Sequence, residues 1–124
     1  MTPSLWIAFS NQGQAWNLTK VGVLGAMVGS FLNVVAYRLP ERKSIALPAS
    51  SCPSCGHPIL PWENIPILSW IALRGRCSAC KGAISVRYPM VEATAAILAM
   101  IAYLHLGWTV RMVEASVLLW VLLV

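Results

Sequence analysis

The residues best suited to chemistry are four cysteines, which form two CxxC pairs, Cys52 with Cys55 and Cys77 with Cys80. Twenty-one residues separate the pairs, which is close to the separation found in zinc ribbons. Two turns that each offer two thiolates can close a tetrahedral zinc site, and a closed four-thiolate site leaves no position for water. The spacing therefore predicts a small zinc-ribbon-like loop in which the metal has a structural role.

Disulfides and a redox dithiol are the alternatives to zinc, and a reducing compartment would disfavour both. His57 follows the first pair closely and is either a spare ligand or a histidine beside the site. Gly56 and Gly82 follow the two pairs, and we expect them to supply the backbone freedom that such turns need.

Carboxylates are scarce, since the chain has four Glu and no Asp. Paired carboxylates that share a proton must lie close together. Glu92 and Glu114 lie on different predicted helices, and at 1.5 Å per residue their depths differ by roughly 12 Å. The sequence therefore predicts no catalytic carboxylate dyad.

The composition indicates that these residues are held by membrane helices. Apolar residues make up 58% of the chain, charged residues only 10%, and the mean hydropathy is +0.70, whereas about a quarter of residues are charged in soluble domains. We predict an all-α polytopic membrane protein with three membrane helices, the third truncated. The predicted elements are an outer interfacial segment (1–17), helix 1 (18–37), the four-Cys loop (38–88), helix 2 (89–106) and the start of helix 3 (110–124).

The excess positive charge lies in the loop, where seven Lys or Arg face two Glu between Arg38 and Arg87. Basic loops of this length stay on the cytoplasmic side, so we expect a cytoplasmic loop and an outer amino terminus. Membrane lipid is the expected partner of this charge. Nucleic acid is not expected, because the basic residues are spread among Pro, Cys and Gly.

Small residues mark helix 1 as a packing surface. Gly22, Ala26 and Ser30 recur four apart, and so do Gly25, Gly29 and Asn33, a spacing that lets another helix approach closely. A buried amide such as Asn33 usually forms an interhelical hydrogen bond in a membrane.

Several longer motifs carry a family resemblance. They are GSFLNVVAYRLP (29–40), CPSCGHPI (52–59), WENIP (62–66), SW (69–70), RGRCSAC (74–80) and RYP (87–89). In order and spacing, from about residue 22 to residue 110, the chain closely resembles the start of bacterial prepilin peptidases.

The resemblance implies a polytopic enzyme of the inner membrane. Such enzymes cleave the leader of type IV prepilins and type II secretion pseudopilins, then methylate the new amino terminus with S-adenosylmethionine. Family members place two catalytic aspartates on later membrane helices, and this chain has none. We therefore expect it to be the amino-terminal part of a longer enzyme, inactive alone as a peptidase, whose partners are the remaining carboxyl-terminal helices and the prepilin or pseudopilin substrate.

A candidate methyl-transfer or substrate region contains Glu63, Asn64, Trp70, Gly75 and Glu92. A cationic sulfonium donor favours a carboxylate and aromatic faces, and an ionisable group in a membrane segment is a functional candidate. The structural alternatives are that Glu63 pairs with Arg74 or Arg76, that the Trp residues are interfacial anchors, and that Glu92 is compensated by Arg87 and the helix dipole. A rival to the enzyme is a non-catalytic membrane adaptor with a zinc-binding docking loop.

Overall fold

The computed structural model describes residues 3–123, and the surroundings of the side chains from Ser10 onwards. In chain order the elements of this part are α1 (Pro3–Arg38), a 3-10 helix (Pro61–Asn64), α2 (Leu68–Ala72), α3 (Arg87–Leu106) and α4 (Val110–Leu123). No strand occurs among these residues, so the prediction of a helical protein is confirmed. The loop contains two isolated antiparallel bridges rather than the strands of an extended ribbon.

Helix α1 begins at Pro3 rather than at residue 18. Residues 3–17 contain good helix formers and no proline after the first turn, where proline is well tolerated. The helix therefore includes residues 3–17, although their lower hydropathy separates them from the apolar run that follows. An interfacial position for residues 1–17 remains a prediction. Residues 1, 2 and 124 of the predicted end segments lie outside the described residues.

Two helical segments, Ser10–Arg38 and Arg87–Leu106, are long and apolar enough to cross a membrane. Helix α1 ends at Arg38, just before Leu39 and Pro40, because proline disfavours helical geometry in the residue before it. Helix α4 has 14 described residues, fewer than the roughly 20 that a span needs, so the third membrane helix remains a prediction.

Helices α1 and α3 pack antiparallel through the predicted glycine stripe. A Cβ added at Gly29 would lie 2.7 Å from Cα of Glu92, and one at Gly25 would lie 2.8 Å from Cα of Ala96. Both distances are too short for any side chain, so the two backbones are in direct contact at these glycines. The interhelical bond expected for Asn33 is also present, since its Nδ2 donates to the carbonyl oxygen of Tyr88 at 3.1 Å.

Helix α4 folds back onto α3 after a turn at Gly107, whose φ is 61° and whose N–H donates to the carbonyl oxygen of Tyr103. The indole N–H of Trp120 donates to the carbonyl oxygen of Ala95 at 3.1 Å. Buried side chains from all three long helices form one apolar cluster: Val21, Ala99, Ala102, Tyr103 and Met112. The helices thus form a packed unit from which residues 39–86 project.

Candidate metal centre

The four cysteine sulfurs meet at one point of the loop, with all Sγ atoms within 4.8 Å of one another. Cys52 lies 3.8 Å from Cys80, and Cys55 lies 3.9 Å from Cys77, measured between sulfurs. All four are free thiols. The predicted cluster of four thiols is therefore present, and it combines the two pairs.

The cluster has the size of a zinc site. With Zn–S distances of about 2.3 Å, sulfurs at the corners of a regular tetrahedron are roughly 3.8 Å apart. The two shortest sulfur pairs match that edge. The four cysteines could therefore hold a zinc ion with small side-chain adjustments.

The first turn of the site is closed by backbone hydrogen bonds around its cysteine pair. The N–H of Cys52 donates to the carbonyl oxygen of His57 at 2.9 Å, and the N–H of Gly56 donates to that of Cys52 at 2.9 Å. An antiparallel bridge joins Ser51 to Pro58 at its base. Cys52 is thereby fixed at the buried side of the turn, while Cys55 is exposed.

The second turn repeats these contacts 25 residues later. The N–H of Cys77 donates to the carbonyl oxygen of Gly82 at 2.9 Å, the N–H of Lys81 donates to that of Cys77 at 3.1 Å, and a bridge joins Arg76 to Ala83. The two turns are therefore equivalent knuckles, each of which contributes one buried and one exposed sulfur.

A left-handed residue follows the last cysteine in both knuckles. Gly56 has φ of 73°, as expected from its lack of a Cβ. At the equivalent position the second knuckle has Lys81, with φ of 59°, so the prediction that Gly82 supplies this freedom is wrong. A Cβ at Gly82 would instead lie 3.2 Å from Sγ of Cys80, so this glycine makes room for the sulfur.

The two thiols of the first knuckle differ in pKa. Backbone N–H groups of Cys55 and Ser54 directed at the Cys52 sulfur lower the pKa of that thiol to about 6. The N–H of His57 lowers the pKa of Cys55, but burial and the three neighbouring sulfurs outweigh it and raise that pKa to about 11. Crowded sulfurs cannot all ionise without a compensating positive charge, which a divalent metal provides.

Glu63 holds the two knuckles together rather than pairing with an arginine. Its side chain is only 12% exposed, and Oε2 lies 3.4 Å from Nε2 of His57 and accepts from the N–H of Leu60 at 2.9 Å. The Ser78 hydroxyl, the Leu60 N–H and, more weakly, His57 lower the pKa of Glu63. The expected pairing with Arg74 or Arg76 is absent from the described part of the chain. His57 does not join the sulfur cluster.

Trp70 and Gly75 form one packing unit behind the second knuckle. The indole N–H of Trp70 donates to the carbonyl oxygen of Ile84 at 3.2 Å. A Cβ at Gly75 would lie 2.7 Å from Cζ2 of Trp70, so only glycine permits this close approach. Asn64, at the end of the 3-10 helix, is exposed.

Glu92 connects the loop to the membrane helices. Its Oε2 accepts from the N–H of Ile67 at 2.7 Å, Ser30 of α1 is a second hydrogen-bonding neighbour, and Glu92 is 7% exposed. Helix α3 begins at Arg87, which places Glu92 in the second turn rather than the first. The expected compensation by Arg87 is not found among the described ion pairs. No position of a methyl donor follows from these contacts, and the methyl-transfer region remains a prediction.

Sequence reasoning missed two participants. Ile67 has φ of 62° and ψ of −51°, which is rare for a β-branched residue, and no sequence signal identifies it. Ser78 lies between the cysteines of the second pair, and its hydroxyl reaches Glu63 of the 3-10 helix, a contact that the CxxC pattern does not indicate.

The fold and the site define a class of protein: packed apolar helices whose connecting loop carries four clustered cysteines that could hold a metal ion. Residues 23–106 match the model of the bacterial peptidase A24 N-terminal domain, and the chain belongs to this family. The apolar helices and this membership together indicate a membrane protein.

The relatives are prepilin leader peptidase/N-methyltransferases. The protein of Pseudomonas putida is 45% identical over 142 aligned residues, which cover 97% of this chain and 49% of that protein. The protein of Myxococcus xanthus is 53% identical over 96 residues, covering 77% of this chain and 29% of that protein. This chain spans half or less of the length of these relatives. No solved structure matches it.

Proposed function

We propose that this chain is the amino-terminal part of a bifunctional prepilin peptidase of the bacterial inner membrane. The enzyme would cleave the leader of type IV prepilins and type II secretion pseudopilins, and then methylate the new amino terminus with S-adenosylmethionine. The observation that carries the proposal is the family match over residues 23–106, supported by relatives named for both activities.

Peptide cleavage would use aspartates on carboxyl-terminal membrane helices of the longer enzyme, as the family resemblance implies. The chain has no Asp, and the side chains of Glu92 and Glu63 already contact other groups of the chain. Glu92 accepts from Ile67, and Glu63 lies between His57 and Leu60. These contacts support a peptidase site made elsewhere in the enzyme.

A structural zinc ion is the cofactor that we propose for the cysteine cluster. When bound, the ion would crosslink the two knuckles, and four thiolates would exclude a metal-bound water. The chain's own contribution is to present four sulfurs at tetrahedral spacing and to direct N–H groups at Cys52.

The methyl-transfer region remains a proposal for Glu63, Asn64, Trp70, Gly75 and Glu92. The contacts of Glu63 and Glu92 favour structural roles for both carboxylates. Asn64 is exposed and is the group here best placed to meet a substrate or a donor.

The proposed topology places the loop in the cytoplasm and the amino terminus outside. The basic residues of the loop support it through the preference of such loops for the cytoplasmic side. The Arg38 side chain donates to the carbonyl oxygen of Ser44 at 3.0 Å, so this cation lies at the boundary between α1 and the loop.

A hybrid enzyme tests the proposal. Residues 1–124 would be co-expressed with the carboxyl-terminal part of the Pseudomonas putida relative in a host that lacks its own prepilin peptidase. Leader release and methylation of a prepilin would be followed by mass. We expect processing by the pair and none by residues 1–124 alone.

Two outcomes of this test would contradict the proposal. If both parts insert correctly into the membrane and no prepilin is processed, the proposed enzymatic function is contradicted and the non-catalytic membrane adaptor is favoured. Leader release by residues 1–124 alone, abolished by Glu92→Gln or Glu114→Gln, would show that glutamates do the work.

A further inference from the structure

The loop exposes an apolar patch between its two knuckles. The patch consists of Trp62, Ile65, Leu68 and Ile71, which are 66%, 46%, 66% and 59% exposed. Exposed apolar residues are common one at a time, but a cluster this dense within ten residues marks an interaction surface.

The patch is separate from the packing that holds the metal centre. Trp70 packs against Gly75 and hydrogen-bonds Ile84 on the knuckle side of α2. Leu68 and Ile71 are three residues apart in the same helix, and residues at this spacing share a face. Helix α2 thus has one side against the second knuckle and another side that is mostly exposed.

The bond between Ile67 and Glu92 fixes the depth of this face. Glu92 lies five residues into α3, or roughly 7 Å along the axis, and helical side chains lean back toward the amino terminus. The Ile67 N–H therefore reaches about one helical turn below the cytoplasmic end of α3. Leu68, next in sequence, lies at a level where α3 is already surrounded by lipid if it spans the membrane.

The basic residues beside the apolar patch also fit a position at a membrane surface. Arg74, Arg76 and Arg87 are exposed at the end of α2, in the second knuckle and at the start of α3. Cations near a membrane surface attract anionic headgroups, and an apolar face with basic residues beside it is typical of segments that lie in the interface.

We propose that Trp62, Ile65, Leu68 and Ile71 form an interface anchor, seated at the boundary between headgroups and acyl chains of the leaflet that faces the loop. The anchor rests on the proposed crossing of the membrane by α1 and α3, and not on either enzymatic activity. It holds the metal centre against the bilayer surface. Additional helices of the longer enzyme are the other occupants that the experiment must exclude.

Photocrosslinking of the whole chain tests the anchor. The photoreactive residue p-benzoylphenylalanine would replace Leu68 or Ile71 in one set, and the exposed knuckle residues Ser54 or Ala79 in a matched control set. Each variant would be reconstituted in vesicles of phosphatidylethanolamine and phosphatidylglycerol, irradiated, and analysed by mass for lipid adducts. We expect several-fold more lipid adduct at Leu68 and Ile71 than at the controls.

Equal yields at all four positions, or adducts only to protein, would overturn the proposal. The same comparison, repeated in the hybrid with the carboxyl-terminal part of the Pseudomonas putida relative, shows whether helices cover the patch. Lipid adducts that persist there support the anchor, and their replacement by protein adducts overturns it.

A second measurement avoids substitutions inside α2. The difference in tryptophan emission between the natural chain and Trp62→Phe reports on Trp62 alone. We expect that emission to be quenched by lipids with a shallow nitroxide and protected from aqueous iodide. Quenching by iodide and not by the lipid would overturn the anchor. Neither measurement depends on leader cleavage, so an inactive hybrid enzyme would not affect the result.

Discussion

The backbone N–H of Ile67 donates to Oε2 of Glu92 at 2.7 Å, which links the four-cysteine loop to the second turn of α3. Ile67 is the centre of a tight turn in which the N–H of Leu68 donates to the carbonyl oxygen of Pro66 at 2.6 Å. A β-branched residue with positive φ is strained by about 1–3 kcal/mol and persists only where its surroundings hold it. The Glu92 carboxylate is the group that holds it.

Glu92→Ala should release the loop from the helices. Loss of a hydrogen bond to a charged group costs about 1.5–3 kcal/mol, which corresponds to a roughly ten- to hundredfold change in the opening equilibrium. The measurement is the rate of trypsin cleavage at Arg74 and Arg76 in reconstituted protein. Glu92→Gln keeps an acceptor and should have a smaller effect.

Glu114→Ala is the matched control, because it removes an exposed carboxylate from α4. It should leave the cleavage rate unchanged. Similar rates for Glu92→Ala and Glu114→Ala would mean that the Ile67 bond does not hold the loop.

Cys77→Ser should remove most of the bound metal. The predicted content is one zinc ion per chain, and a site with three thiolates loses much of the folding free energy that the metal supplies. Elemental analysis of protein purified without added metal gives the ratio, and Ser54→Ala, which keeps all four thiols, is the control. Full zinc occupancy of the Cys77→Ser protein would refute the four-thiolate site.

Glu63→Gln should weaken the contact between the knuckles and speed the loss of zinc to a chelator. The pKa of Glu63 is lowered from 4.5, so its contribution is fully present above that ordinary value and is lost as the pH falls through the lowered pKa. The effect of the substitution should therefore be present throughout pH 6 to pH 8, where the Glu63 carboxylate is ionised. Equal rates of zinc loss from the variant and the natural chain in that range would contradict a contribution from Glu63.

Lys81→Gly should stabilise the second knuckle. A left-handed conformation costs an ordinary residue about 1–2 kcal/mol that glycine does not incur, and part of this gain is offset by the greater freedom of glycine when unfolded. Gly56→Ala should destabilise the first knuckle for the same reason. The resistance of zinc to chelation reports both effects. Lys81→Ala, which loses the side-chain bond to the Ser78 carbonyl but keeps the Cβ, should not stabilise.

Gly29→Ala should force α1 and α3 apart, because the new Cβ would lie 2.7 Å from the Glu92 backbone. Overpacking of this kind costs about 1–3 kcal/mol. Gly22→Ala is the matched change, since its Cβ meets the flexible end of Met100 at 3.1 Å and can be accommodated. Thermal unfolding in detergent should separate the two, and equal midpoints would contradict the direct backbone contact at Gly29.

Much of this arrangement could be predicted because it rests on local chemistry. The paired CxxC spacing predicted the sulfur cluster, and the glycine stripe predicted the close approach of another helix. Each of these signals depends on a residue type with a strong geometric preference.

The remainder depends on contacts between distant segments, which no local pattern encodes. The meeting of the two knuckles brings Ser78 to Glu63. The positive φ of Ile67 follows from its bond to Glu92, 25 residues away, and the start of α1 at Pro3 shows that a helix can continue where hydropathy falls.

The two knuckles lie on either side of the 3-10 helix and α2 in the sequence, so a metal that joins the knuckles closes a ring of chain that contains both helices. Closing this ring reduces the conformational entropy of the open chain. The entropy cost grows only slowly with the length of the ring, so most of it is met by closing the ring at all. Within the ring, α2 and its apolar side chains can no longer diffuse away from the bilayer independently. Chelation would therefore change how often this segment visits the membrane as well as whether the cysteines are occupied.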